Sequence, residues 1–184
     1  MKDKDLKKRA KQIKFLLTDS DGVLTDTGVY YSGNGEELKR FSIRDGMGVE
    51  RLRDLVGVDT GIITGEFSDS VLKRAEKLNI SDVYPGCKDK AAELEKIMVW
   101  KNLMPEEVAY IGDDTNDIGI ISKVGLSACP SDAIQEVKDC VHYVCENQGG
   151  KGAYREVAEL LILAQLKKKK QKSISEGEEY EQHS

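Results

Sequence analysis

The sequence predicts an α/β fold, a doubly wound parallel sheet of Rossmann-like type with a β-hairpin insertion, and three observations carry that prediction. Short apolar runs of strand length recur at 13–17, 58–63 and 108–111. They alternate with longer segments whose apolar residues return at helical spacing. The runs end in hydroxyl and carboxyl side chains: Thr18-Asp19-Ser20-Asp21, Thr64-Gly65-Glu66 and Gly112-Asp113-Asp114-Thr115-Asn116-Asp117. Strands that are apolar throughout need helices on both faces of their sheet. Such sheets take ligands beyond the carboxyl ends of their strands, where these polar clusters fall.

The elements follow in chain order. Residues 1–11 form a charged N-terminal extension, and 12–166 one domain. Ile13–Leu17 reads as a buried strand. "GVYYSGNGEELKRFSI" reads as a hairpin turning at Asn34-Gly35, a dipeptide suited to tight turns. A helix near Asp45–Leu55, with Asp45 as its N-cap on local grounds, precedes the strand Val58–Ile63. A helix near Ser68–Leu78 precedes a short strand at Asp82–Tyr84, and one near Lys88–Lys101 precedes Val108–Ile111. Helices near Asp114–Lys123 and Ser131–Lys138 lead to strands at Gly125–Ala128 and Val141–Val144. A last amphipathic helix spans Gly152 to Gln165. Residues 167–184, with Lys167–Lys170 followed by "SEGEEYEQHS", read as a flexible charged tail because they have almost nothing apolar to bury.

Composition narrows the function classes. At 184 residues the chain can bury a core without metal or disulfide staples. A net charge of −5 argues against nonspecific nucleic-acid binding. Apolar stretches such as Leu160–Ala164 fall far short of the roughly 20 residues a bilayer crossing needs, and the first residues lack a signal peptide's apolar core. No membrane association and a cytoplasmic location are expected. Cys87, Cys129, Cys140 and Cys145 form no CxxC pair, and His142 and His183 are the two histidines, so reduced thiols are expected rather than a zinc site.

The acidic strand ends carry the chemistry. Carboxylates gathered at the edge of a buried sheet are costly unless a cation compensates them, and a hard divalent ion with oxygen ligands does so. Asp19 and Asp113 are candidate ligands, and Mg²⁺ suits one or two carboxylates that share it with a substrate phosphate. Asp19 can then attack phosphorus, while Asp21, turned by Gly22 toward the leaving group, shuttles the proton. Thr64, the Gly65 amide and Lys90 are suitable donors to the phosphoryl oxygens. Taken singly, Thr64 is an ordinary strand-end hydroxyl and Lys90 a solvated lysine; their order in the chain argues otherwise.

That order, Asp-x-Asp-Gly-Val-Leu-Thr, then Thr64, then Lys90, then GDDxxD, resembles the four-part signature of the haloacid dehalogenase superfamily. The resemblance implies Asp19 as nucleophile and Asp21 as general acid/base whose carbonyl also binds Mg²⁺. It implies Thr64 and Lys90 as phosphoryl holders, Asp113 as metal ligand, and Asp114 and Asp117 as support for the metal shell. Over 12–166, "DGVLTDTGVYYSGNGEELKRFSIRDGMG", "DKAAELEKI", "VAYIGDDTND", "KVGLSACPSDA" and "GGKGAYREVAELLILAQ" are similar to the 3-deoxy-D-manno-octulosonate 8-phosphate phosphatase family, which includes a nine-carbon ulosonate 9-phosphate branch. That resemblance implies a domain without a cap and a homotetramer built through the hairpin 26–43. The turn Gly149-Gly150-Lys151-Gly152 would close over a site and offer Lys151 to the sugar carboxylate, or simply reverse the chain. Arg44 and Asp45 would line the entrance.

One departure bears on the substrate, a phosphorylated ulosonic acid. Octulosonate phosphatases typically continue the second motif as Thr-Gly-Arg, whereas this chain has Thr64-Gly65-Glu66. Glu66 with Lys77 resembles the nine-carbon branch, although Lys77 also reads as an exposed cation on its helix. Arg44-Asp45-Gly46 resembles the octulosonate branch. The balance falls narrowly toward an N-acylneuraminate or deoxynononate 9-phosphate. Two other classes compete. A response-regulator receiver carries its acceptor aspartate on a middle strand, where this chain has Thr-Gly-Glu. A non-catalytic tetramerisation module, like those of sialate cytidylyltransferases, can lose catalytic carboxylates, whereas this chain retains Asp19, Asp21 and Asp113.

Overall fold

Leu16 faces one side of a central sheet and its neighbours Phe15 and Leu17 the other, the period-two pattern of a strand buried on both faces. The computed structural model describes the backbone of residues 2–181 and the side chains of residues 4–168. Its first strand, β1 (Phe15–Thr18), is followed by β2 (Val29–Ser32) and β3 (Gly35–Lys39), which pair with each other as an antiparallel hairpin. The strands β4 (Asp59–Ile63), β5 (Asp82–Tyr84), β6 (Val108–Ile111), β7 (Leu126–Cys129) and β8 (Tyr143–Val144) join β1 in a parallel sheet of order β5-β4-β1-β6-β7-β8. Phe15 registers with Asp59 on one side and Val108 on the other. The chain runs outward from β1 to β5 and returns to β6, so the sheet's direction of travel reverses beside β1. This is the switch point at which open α/β sheets bind ligands.

Seven helices cover the two faces among the described residues. On one pack α1 (Lys2–Ala10), α2 (Ile43–Val56), α3 (Asp69–Lys77) and α7 (Ala153–Glu181); on the other α4 (Lys90–Lys101), α5 (Ile118–Ile121) and α6 (Gln135–Cys140). Between β1 and α2 lies the hairpin, and between β4 and β5 the single helix α3, so among the described residues no cap domain covers the carboxyl end of the sheet. The doubly wound fold and the hairpin are therefore as the sequence predicts. No helix among the described residues is long and apolar enough to cross a membrane.

Several local expectations are corrected. The hairpin turns at Gly33-Asn34, because Ser32 pairs with Gly35, and Gly35 takes the positive φ of 110° just after the turn. Helix α2 begins at Ile43, with Ser42 rather than Asp45 as N-cap: the Ser42 hydroxyl accepts from the Asp45 amide at 3.3 Å. The segment 114–123 opens as a 3-10 turn over Thr115–Asp117, where Asp114 caps the turn. The charged N-terminal segment is helical, and its Arg9 guanidinium donates to the Gly125 carbonyl at 2.8 Å. The last helix does not stop near Gln165 but runs to Glu181, continued by lysine, glutamine and glutamate, all good helix formers.

Candidate active site

The loop after β1 is shaped by one glycine. Asp19 continues the sheet ladder, its amide donating to the Ile111 carbonyl of β6 at 2.9 Å, and its Oδ1 accepts from the Ser20 amide at 2.7 Å. The chain then turns at Gly22, where φ is +82°. A Cβ at Gly22 would sit 1.9 Å from Oδ2 of Asp113, so glycine is what lets the carboxylate beyond β6 approach the first loop. Gly112 has the same role for Asp117, whose Oδ2 would lie 2.3 Å from an added Cβ.

Asp117 organises the interior of the site. It is fully buried, and four donors converge on its two oxygens. Oδ1 accepts from Lys90 Nζ at 2.7 Å and Tyr110 Oη at 2.6 Å; Oδ2 accepts from the amides of Asp113 at 2.8 Å and Asp114 at 3.3 Å. Lys90 also reaches Asp19 Oδ2 at 2.7 Å. The motif order implies Lys90 as a phosphoryl holder; in this structure the buried ammonium bridges two carboxylates, Asp19 and Asp117. Burial alone would lower its pKa, but Asp19 and Asp117 outweigh that and hold it above the ordinary lysine value.

One lysine does not balance the acids. Burial pushes the Asp19 carboxyl up to about 7 against the pull of Lys90. Burial, followed by the charges of Asp19 and Asp117, pushes Asp113 up to about 8. Oxygens of Asp19, Asp113 and Asp117 lie within 4.8 Å of one another, a spacing that suits one divalent cation. Each Asp117 oxygen already accepts from two donors, whereas each Asp19 oxygen has one and both Asp19 and Asp113 line the cavity, so Asp19 and Asp113 are the side chains placed to give oxygens to a metal, and Asp117 fits the supporting role. An under-compensated group of hard oxygen donors is the set Mg²⁺ requires, so the residues fit the ion.

A cavity of about 300 Å³ opens over these carboxylates and is lined by Asp19, Asp21, Thr64, Glu66, Asp113 and Asp114, among others. Thr64, buried just beyond β4, lines the same cavity as Asp19, and Gly65 follows it in the lining. The structure thus brings together the first, second and fourth motifs at one opening, with Lys90 beneath.

Other expected residues lie elsewhere in the chain. Lys77 is exposed at the far end of α3, a nine-residue helix about 13 Å long at 1.5 Å per residue, and does not meet Glu66. The cation beside Glu66 is Lys88, whose Nζ is 3.5 Å from Glu66 Oε1 and donates to the Gly65 carbonyl at 2.9 Å. Arg44 is exposed on α2 outside the cavity lining. Asp45 is 2% exposed and accepts from the Gly152 amide at 3.2 Å and the Arg155 amide at 2.9 Å, so it caps α7 from across the fold. Lys151 is exposed and donates to Gln148 Oε1 at 2.6 Å. The turn that carries it lies against the first loop: the Gly150 amide donates to the Val23 carbonyl at 2.8 Å, and a Cβ at Gly149 would meet the Gly22 carbonyl oxygen at 1.9 Å.

Sequence reasoning missed Lys39. Its buried Nζ donates to both oxygens of Asp21, at 2.8 and 2.7 Å, and lies 3.3 Å from Glu36 Oε2. A lone lysine on a short, polar strand gave no periodic signal; its only sequence mark is its place in the hairpin.

Fold and site together define a haloacid dehalogenase-like hydrolase, and a family model of that description matches residues 61–157. The 3-deoxy-D-manno-octulosonate 8-phosphate phosphatase of Yersinia pestis is 40% identical over 163 residues, covering 89% of this chain and 87% of the relative. The chain belongs to the 3-deoxy-D-manno-octulosonate 8-phosphate phosphatase family, a family of phosphoric monoester hydrolases. The crystal structure of the Moraxella catarrhalis phosphatase, in complex with a magnesium ion, a phosphate ion and a KDO molecule, matches at a TM-score of 0.84 and 34% identity, over 88% of this chain and 92% of that one. A cobalt-bound Haemophilus influenzae phosphatase matches at 0.83 and 36%, over 85% and 91%.

Proposed function

We propose that this chain is a Mg²⁺-dependent phosphatase acting on a 3-deoxy-2-ulosonic acid phosphate, with 3-deoxy-D-manno-octulosonate 8-phosphate the first candidate. The observation that carries the reading is the convergence of Asp19, Asp21, Thr64 and Asp113 on one cavity, with Lys90 paired to Asp19 beneath it. Asp19 and Asp113 would hold the ion with the Asp21 carbonyl, and the bound cation would offset the charge of the phosphoryl oxygens. In the first step an Asp19 oxygen attacks phosphorus, the bond from phosphorus to the sugar oxygen breaks, and Asp21 gives that oxygen its proton. In the second, water attacks the aspartyl-phosphate, Asp21 takes the water's proton, and phosphate leaves with Asp19 restored. Thr64 and the Gly65 amide support the phosphoryl oxygens throughout.

The relatives' identity and the KDO in the Moraxella structure favour the eight-carbon substrate. Glu66 on the cavity rim is the observation that keeps the nine-carbon 9-phosphates in play. A homotetramer through the hairpin, and a cytoplasmic location, belong to the same proposal. Tyr30, Tyr31 and Leu38 on the hairpin are 62%, 73% and 64% exposed, and a two-stranded sheet is marginal alone in water, which supports a partner surface there.

The test is Mg²⁺-dependent phosphate release, comparing kcat/KM for octulosonate 8-phosphate with those for neuraminate and deoxynononate 9-phosphates. The expected result is a tenfold or greater preference for the octulosonate, no turnover by Asp19→Asn, and less than a twofold change in Lys77→Ala. A nine-carbon preference lost in Lys77→Ala would restore the Glu66–Lys77 pairing. Release from none of the esters would leave the assembly module as the reading.

A further inference from the structure

The hairpin is joined to the active site by a chain of polar contacts. Lys39, the last residue of β3, has a side chain only 1% exposed, and its ammonium spans both oxygens of Asp21. Its other partner is Glu36, three residues earlier on the same strand, at 3.3 Å. Glu36 in turn accepts from the hydroxyl of Ser68, the N-cap of α3. The sequence Asp21–Lys39–Glu36–Ser68 thus runs from the loop after β1, where Asp21 lines the cavity, to the start of the helix after β4. The neighbouring Arg40–Asp26 pair holds the same loop to the end of the hairpin, and within the loop the Thr25 hydroxyl donates to Asp21 Oδ1 at 3.3 Å.

We infer that Lys39 is a positioning residue for the general acid/base, fixing the Asp21 carboxylate at the rim of the cavity and making its place depend on the hairpin. The inference rests on the phosphatase reading. A buried ammonium is expensive unless its partners are held in place, and here the partners are the carboxylate that handles the proton and one anchored to α3. Asp21 is held on its inner side by Lys39 and Thr25 and remains open toward the cavity. Displacing a catalytic group by an ångström costs about a hundredfold in favourable cases, and general acid catalysis contributes about 10²–10⁴-fold.

A pair that merely attached the hairpin to the domain would have a different signature. Asp21 is needed in the first step only when the leaving oxygen must be protonated. The alkoxide of a sugar phosphate needs that proton, whereas p-nitrophenolate departs without it. Since kcat/KM reports transfer of the phosphoryl group to Asp19, the two esters separate positioning of Asp21 from general damage to the site.

The experiment is kcat/KM for octulosonate 8-phosphate and for p-nitrophenyl phosphate in the full-length protein with Mg²⁺, for wild type, Lys39→Met and Lys39→Arg. In Lys39→Met the sugar ester should lose about 10- to 100-fold more than the nitrophenyl ester. Lys39→Arg, which keeps the charge, should recover at least part of the difference. Should Lys39→Met fail to fold, Glu36→Gln loosens Lys39 while leaving the Asp21 pair, and the same ratio should fall about three- to tenfold. Equal losses on both esters, or no loss on either, would overturn the inference. A wild-type protein inactive on both esters would overturn the phosphatase reading and the inference with it, whereas an active wild type with an unchanged ratio would overturn the inference alone.

Discussion

Replacing Asp117 with Asn tests the interior of the site with almost no change in shape. The four groups that converge on Asp117 are donors: Lys90 Nζ, Tyr110 Oη and the amides of Asp113 and Asp114. A carboxylate accepts all four, but an amide offers one oxygen and one NH₂ group. Whichever way the Asn side chain turns, its NH₂ faces two donors. Turned inward, it meets the Lys90 ammonium and leaves Tyr110 to reorient; turned outward, it orphans two backbone amides. Each buried donor left unpaired costs about 1–3 kcal/mol, and breaking a buried ion pair costs about 3–5 kcal/mol, so a loss of about 4 kcal/mol is expected. In a domain of this size about 1 kcal/mol moves Tm by about 2–4 °C, which puts the fall at about 8–16 °C. The assay is thermal and urea unfolding of wild type and Asp117→Asn without Mg²⁺, followed by phosphate release with it. A fall of less than about 2 °C would refute the argument, for it would mean that Asp117's partners are satisfied without its charge.

The acids also make a prediction about pH. Asp19 and Asp113 are held near 7 and 8, above the ordinary 3.8, so without metal the folded chain binds protons more tightly than the unfolded one. Their contribution is full below about pH 4 and is lost as pH rises through 7 and 8; because Mg²⁺ needs both ionised, the rise in Tm on adding it should grow between pH 6 and pH 9, and a gain independent of pH would count against the metal site. Gly22→Ala forces a side chain into positive φ and onto Asp113, so the Mg²⁺ concentration for half-maximal activity should rise at least about tenfold; an unchanged Mg²⁺ titration would show that Asp113 does not depend on that turn. Asp45→Ala removes the carboxylate cap of α7 and should cost about 1–2 kcal/mol in urea unfolding while leaving the KM for octulosonate 8-phosphate within about twofold. A large KM effect at unchanged stability would instead return Asp45 to the substrate entrance.

The features legible in the amino-acid order alone are those of short range. Apolar runs such as Phe15–Thr18 and Val108–Ile111 carry their burial in their own composition, and a parallel sheet puts their acidic ends at one edge whatever the details of packing. Asp19, Asp21, Thr64 and Asp113 could therefore be brought together on paper, and the tertiary structure gathers them at one cavity. The rest was decided by contacts between distant segments. Asp45 has the local look of a helix cap and does cap a helix, but the helix is α7, 107 and 110 residues on at its two contacts. Glu66 and Lys77 are a plausible pair along the chain, but a rigid helix separates them end to end. Lys39 is one lysine among many until the hairpin folds over the first loop and buries its ammonium against Asp21. Periodicity and motif order report a residue's own neighbourhood; the partner that gives a buried charge its purpose is chosen only when the chain packs, because desolvation and pairing are properties of the packed interior.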